Sequence, residues 1–347
     1  MLSQGAPKAR LSFAAVFLLA FVSLALAYSI PLAIIDPYGS FHVGLFPVVT
    51  LDDRSQKIRL FETFAQHNSI QGLILGSSRS FLIDPSYLTK VTGVAFFNLA
   101  VSSPTIEDHL DLYRWVRQNG NHPKDVILGL DIDALADDST VGRRALVLPS
   151  ATSHDELVNV MNSAGQLFGS MRELFTTRAI GDATLAVESK LRDDERGISI
   201  EEDGSLAYRK WDLERRASTF DFSTEFRDCA AGYNAVYERM TELSPTRLDD
   251  LATLIAEAVA DGAMVYIWLP PFQPVESQTL LETTSYGALL AQLRSQLERL
   301  ESDSVKVLDY SDMDSFAGTP SGWYDCAHMD KTNAELVTSR LTAALPA

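Results

Sequence analysis

Two short stretches at opposite ends of the chain carry residue types that can do acyl chemistry together. The first is Leu73-Ile74-Leu75-Gly76-Ser77-Ser78-Arg79-Ser80, an apolar run that stops at a glycine and gives way to serines and an arginine. The second is Asp325-Cys326-Ala327-His328. A serine hydroxyl is a poor nucleophile near neutral pH. It becomes one when a histidine takes its proton and a carboxylate fixes the histidine tautomer and stabilises its cation. Ser78, His328 and Asp325 are the candidates for those three roles, and His328 is the only one of six histidines that follows an aspartate at this spacing. His42, His67, His109, His122 and His154 are scattered, with no pair at zinc-ligand spacing, so neither a metal nor another cofactor is expected. A P-loop motif is absent, and Ser80 stands where the nucleophile elbow of an α/β-hydrolase needs its second glycine.

The elements that must position these residues follow from the apolar pattern. Gly72 to Leu75 reads as a buried strand, and small residues straight after it let the chain turn sharply and lift a side chain off the sheet. Further strands are expected over Val94–Asn98, Asp125–Asp131, Ala263–Leu269 and Val305–Leu308. Helices are expected over Asp52–Gln66, Thr105–Gln118, Ser244–Ala260, Gly287–Leu300 and Lys331–Leu345; Ser103 or Thr105 can cap the second. Strands that are apolar throughout and alternate with helices indicate a parallel sheet covered on both faces, with sites at the carboxyl ends of the strands. Ser78, Asn98, Ser103, Asp131, Asp325 and His328 all fall at such ends, so all can meet on one rim. Trp268 and Phe272, around Pro270-Pro271, fit either core packing or the lining of a sugar or acyl pocket. Between the third strand and the Ser244 helix lies a polar stretch, Ala136 to Phe226, with a hairpin signal that turns at Asp203-Gly204. An insertion of this length suggests a lid or a substrate-binding arm.

The formal net charge of −17, from 29 basic and 46 acidic residues, argues against nucleic acid as a partner. Residues 1–10 carry Lys8 and Arg10 and no acid, and Leu11 to Ile35 runs without a charge. As a helix that run would be about 37 Å long, enough to cross a bilayer core of about 30 Å. Basic residues before it and Asp36 after it place the N-terminus in the cytoplasm and the remainder outside. Ala25-Leu26-Ala27 also fits a signal-peptide cleavage site, and either alternative exports the domain beyond the 36–70 stalk and lead-in helix. The two cysteines, Cys229 and Cys326, are either a disulfide pair that pins the Asp-x-x-His turn or two small buried residues.

Taken together, the blocks resemble the SGNH (GDSL-like) hydrolase superfamily, especially its membrane-anchored bacterial members linked to envelope polysaccharides. Gly76-Ser77-Ser78 stands for the family's Gly-Asp-Ser block. Asn98 with Ser103 five residues on stands for its asparagine–glycine block. Gly129-Leu130-Asp131-Ile132 stands for Gly-x-Asn-Asp, and Asp325 with His328 for the closing Asp-x-x-His. The resemblance covers Gly72 to about Asp133 and Ala263 to the end, about half the chain, within a domain expected over residues 71–135 and 227–347. It implies a three-layer α/β/α sandwich on a five-stranded parallel sheet of flavodoxin-like, SGNH type. It also implies a Ser78-His328-Asp325 triad and an oxyanion or substrate-binding group drawn from Ser78, Ser103, Asn98, Asp131 and Arg79. The substrate it implies is an acylated glycan or other ester, attacked in the periplasm by a single-pass inner-membrane protein that works with polysaccharide machinery. Asp131 departs from the pattern, because a carboxylate cannot donate to an oxyanion and its charge opposes one. The departure leaves a second expectation, an inactive SGNH-like scaffold of the envelope. Arg79 can offset that charge, bind an anionic substrate, or form a salt bridge.

Overall fold

A computed structural model describes residues 13–37, 41, 43, 45–46, 53–137, 177–191 and 198–346. Residues 1–12, most of 38–52, 138–176 and 192–197 lie outside the described part, and with them Lys8, Arg10, His42, His154 and much of the expected insertion. Two compact units are present.

The smaller unit contains α1 (Phe13–Ile35) and the helix at 177–191. The window Ala15–Ile35 has a mean hydropathy of 2.3, so by length and composition α1 can cross a membrane. Its last turns give Leu32, which packs with Ala179 and Ala183. Asp36, just beyond it, accepts the N–H groups of Phe41 and Val43. The 136–226 insertion is therefore divided, since 177–191 belongs to this unit and 198–226 to the other.

The larger unit starts with α2 (Asp53–Ala65) and is built on five parallel strands, β1 (Ile70–Leu75), β2 (Ala95–Asn98), β3 (Asp125–Gly129), β6 (Met264–Leu269) and β7 (Val305–Asp309). Their order across the sheet is β2-β1-β3-β6-β7. Successive side chains alternate between faces and both faces are covered, which is why the strands are mostly apolar, while the edge strand β7 carries the exposed Lys306. Leu73, Leu75, Val126, Leu128, Val265 and Ile267 join one core, whereas Ile74, Ile127, Tyr266 and Trp268 join the other. Leu88 of α3 (Pro85–Thr92) lies in the second core, and Ile106, Leu110 and Tyr113 of α4 (Ile106–Gln118) lie in the first. The connections β1-to-β2 and β2-to-β3 thus run in opposite directions with helices on opposite faces. The chain reverses between β1 and β3, and a crevice at their carboxyl ends follows.

Thr105 is the residue before α4, and its N–H bonds the Asp108 carboxylate at 3.0 Å. The helix at 177–191 is α5 in chain order. The hairpin β4 (Ile198–Ile200) and β5 (Leu206–Tyr208) turns at Asp203-Gly204 as expected. It leads into α6 (Arg209–Arg216) and α7 (Phe222–Tyr237), which the polar sequence does not announce. The frame is completed by α8 (Pro245–Ala260), α9 (Pro274–Thr283), α10 (Tyr286–Leu300) and α11 (Lys331–Ala344).

Candidate active site

The turn that presents Ser78 is made by its neighbours. The Ser77 hydroxyl accepts the Arg79 N–H at 3.1 Å. The N–H groups of Ser80 and Phe81 close onto the carbonyls of Ser77 and Ser78, giving one 3-10 turn over Ser78–Ser80. Gly76 and Gly129 make room for it, since a Cβ on either would fall 2.2 Å from Ser80 Oγ. From Gly72 to Phe81 every residue is buried except Ser78, which is half-buried.

The second turn has the same character. From Gly322 to Asp330 only His328 escapes full burial. Asp325 Oδ1 accepts the N–H groups of Ala327 (2.8 Å) and His328 (2.7 Å), an aspartate turn that fixes the backbone. Asp325 Oδ2 lies 2.7 Å from His328 Nδ1, and His328 Nε2 lies 2.8 Å from Ser78 Oγ across 250 residues of sequence. With the Nδ1 proton held on Asp325, Nε2 is left to accept the serine hydroxyl. Burial pushes the Asp325 carboxyl up, but the facing His328 and the two N–H groups outweigh it and hold the pKa below the usual aspartate range. Asp325 therefore stays ionised and can stabilise an imidazolium. A Cys229–Cys326 disulfide ties this turn to α7, and the Gln273 N–H bonds the Cys326 carbonyl at 2.9 Å.

Arg79 and Asp131 face inward, which corrects the expectation that they touch substrate. Arg79 Nη1 donates to Asp131 Oδ1 at 2.7 Å, and the two side chains are only 3% and 5% exposed. Arg79 Nη2 donates to the carbonyls of Pro270 (2.8 Å) and Pro271 (2.5 Å), and the guanidinium lies 4.1 Å from the Phe272 ring centroid. Phe272 and Trp268 are core residues. The expected salt bridge exists, but it is buried and it joins the ends of β1, β3 and β6.

Asn98 is likewise structural. It is fully buried, its amide donates to the carbonyls of Ser80 (2.9 Å) and Ile83 (3.0 Å), and its Oδ1 accepts the Ala100 N–H and Lys57 Nζ (3.2 Å). It ties the end of β2 to the chain just beyond Ser78. Ser103 is exposed and left-handed, at φ +45°. That conformation costs a residue with a Cβ about 1–2 kcal/mol, and it is where a glycine would be at ease.

Sequence reasoning missed an aromatic wall beside His328. Ring centroids of Tyr208 and Trp211 lie 6.2 and 6.5 Å from the imidazole; the two rings stack on each other and both pack at a tilt against Tyr324. The segment that carries them is fastened down. The Arg215 guanidinium bonds Asp330 and the Trp323 carbonyl, and the Tyr324 hydroxyl donates to Asp212. The Asp203-Gly204 turn was the only local signal for this segment. His109 is buried in the core and His67 and His122 are exposed, all outside the site. Comparison with known proteins finds no matching family model and no matching curated protein.

Proposed function

We propose that the protein is a serine esterase or O-acyltransferase with an SGNH-like, flavodoxin-like domain. Its substrates are acyl esters of an envelope polysaccharide or glycoconjugate. In this reading α1 anchors it as a single-pass protein of a bacterial inner membrane, with the catalytic unit in the periplasm. The observation that carries the reading is the unbroken chain Ser78 Oγ–His328 Nε2 (2.8 Å) and His328 Nδ1–Asp325 Oδ2 (2.7 Å). Support comes also from the strand order, which is the 2-1-3-4-5 pattern of doubly wound sheets when the five parallel strands are counted alone.

In the first half-reaction Ser78 Oγ bonds the acyl carbon while its proton passes to His328 Nε2. That proton then leaves on the oxygen of the departing alcohol. Backbone N–H groups of Ser78 and Ser103 stabilise the oxyanion. Water or a sugar hydroxyl resolves the acyl-enzyme by the reverse proton path, giving hydrolysis or transfer. Asp131 was the residue that favoured an inactive scaffold. Its pairing with Arg79 answers the charge, since a guanidinium balances the carboxylate; the amide donor that Asp131 cannot supply is absent, and this reading relies on the two N–H groups instead.

The test is labelling of the full chain in detergent with a fluorophosphonate. Label on the wild type, and none on Ser78→Ala or His328→Ala, supports the reading. A folded wild type that takes no label overturns it and leaves the scaffold.

A further inference from the structure

The strained Ser103 backbone is held from one side by helix α2. Arg54 Nη2 donates to the Ser102 carbonyl at 2.8 Å and to the Ser103 carbonyl at 3.3 Å. Its Nη1 lies 3.4 Å from Asp108 Oδ2, which also accepts the Thr105 N–H. The carboxylate of Asp53 accepts the Ser102 N–H. Arg54 is 11% exposed.

The Ser102 carbonyl and the Ser103 N–H belong to one planar trans peptide and point in opposite directions. By drawing the carbonyl onto α2, Arg54 turns the Ser103 N–H away from α2. Flipping this peptide would reverse the N–H and move φ of Ser103 by about half a turn, back to the extended region that a serine prefers. The relaxed orientation is thus the one with the N–H turned the wrong way, and Arg54 opposes it. The ladder shows what lies on the other side. The Leu99 N–H bonds the Ile74 carbonyl and the Val101 N–H bonds the Gly76 carbonyl. The chain beyond β2 therefore runs alongside the end of β1 toward the turn that carries Ser78.

We propose that Arg54 is a positioning residue: it holds the 102–103 peptide in its strained orientation, so that the Ser103 N–H stands ready as an oxyanion donor beside Ser78. This inference rests on the serine acyl-transfer reading. A donor fixed before the reaction stabilises developing charge without reorganising, whereas a peptide free to flip does so only part of the time.

The experiment uses the full chain in detergent with a small activated acetate ester. Arg54→Gln should lower kcat about a hundredfold with KM changed less than about threefold, as loss of one oxyanion donor does. Arg54→Lys, which keeps the charge facing Asp108 and one donor for the carbonyls, should fall between and covers the case in which Arg54→Gln fails to fold. Adding Ser103→Gly to Arg54→Gln should recover about fivefold, because glycine pays no penalty for the left-handed state. A merely structural role would lower the melting temperature with no such rescue. In a crystal structure of the Arg54→Gln variant, φ of Ser103 should be negative. An active wild type with Arg54→Gln within about threefold of it, or with Ser103 still left-handed, overturns this role alone. An inert wild type overturns the role together with the acyl-transfer reading.

Discussion

Ser78 and Arg79 are neighbours in the chain and opposites in circumstance. Ser78 is the one half-open residue of a buried turn and meets a half-open histidine. Arg79 points beneath it, into an ion pair that is almost wholly excluded from water. A serine and an imidazole lose little by standing at the surface, where substrate must reach them. A guanidinium and a carboxylate in the interior are costly unless paired; here both terminal nitrogens of Arg79 are matched, and its Nε alone has no partner. One turn thus carries two different residues: Ser78, which the proposed reading assigns to chemistry, and Arg79, which holds three strand ends together. The comparison separates groups whose removal should abolish the reaction and spare the fold from groups whose removal should do the reverse.

The largest effect is expected on the exposed side. Ser78→Ala and His328→Ala should each lower kcat on an activated ester by about 10⁴-fold or more, while the stability of Ser78→Ala from urea titration of the full chain in detergent stays within about 0.5 kcal/mol of wild type and that of His328→Ala falls less than in Arg79→Met, because Asp325 keeps its two backbone N–H bonds. Comparable losses of stability in these variants would erase the distinction. On the buried side, Arg79→Met should cost about 3–5 kcal/mol in the same urea titration, because it strands the Asp131 carboxylate and two proline carbonyls. Arg79→Met with Asp131→Leu should cost less than Arg79→Met alone, since the stranded charge is gone. Activity per folded molecule should survive better in this double variant than in Ser78→Ala. A double variant that is as unstable as the sum of its singles would show that the pair is not coupled.

This difference also explains what the sequence could disclose. The Ser78–His328–Asp325 chain was legible because each part is local: a strand stop with small residues, and an aspartate three residues before a histidine. The inner strands were legible because burial on both faces leaves near-continuous apolar runs, and the edge strand β7 from its valines and leucine despite the exposed Lys306. The direction of Arg79 was not, because its partner is 52 residues away and its carbonyl acceptors 191 and 192 away. The same holds for Asn98, which resembles an active-site amide in sequence yet has its donors committed to the Ser80 and Ile83 carbonyls. Helices α6 and α7 were missed because their ordered side is aromatic and charged rather than an aliphatic stripe. Their contacts to Tyr324, Asp330 and Cys326 lie about a hundred residues downstream. Helix α9 follows Pro270-Pro271 so closely that the chain reads there as a loop.

The disulfide belongs to both sides of the comparison. It closes a loop of 97 residues and its second cysteine sits between Asp325 and His328. Cys229→Ser with Cys326→Ser should therefore lower stability by about 2–4 kcal/mol and also lower kcat, by about ten- to a hundredfold, as the imidazole loses its fixed position. The Gln273 N–H on the Cys326 carbonyl is a second hold on the turn, so activity should fall without vanishing. Unchanged kcat alongside reduced stability would assign the bridge to the fold alone.

The last comparison tests whether the buried polar layer titrates separately from the site. Lys57 is fully buried, its Nζ lies 4.4 Å from the Phe81 ring centroid, and it donates to Asn98. Burial lowers its pKa to about 7, although Asp53 and Asp203 pull it upward. The unfolded chain keeps this proton to about pH 10.5, so between about 7 and 10.5 the unfolded state binds more protons and stability rises with pH. Below about 7 both states are charged and the full cost of the buried ammonium is present. Lys57→Met removes this dependence. Urea midpoints at several pH values from 6.5 to 9.5 should therefore show wild type gaining on Lys57→Met as pH rises, with all other titrating groups cancelling in the difference. The neutral amine still donates to Asn98 Oδ1, so the contact that holds the end of β2 outlasts the charge. Parallel curves for the two proteins would mean that Lys57 keeps its proton in the folded state, and that the layer beneath Ser78 stores its charges in pairs throughout.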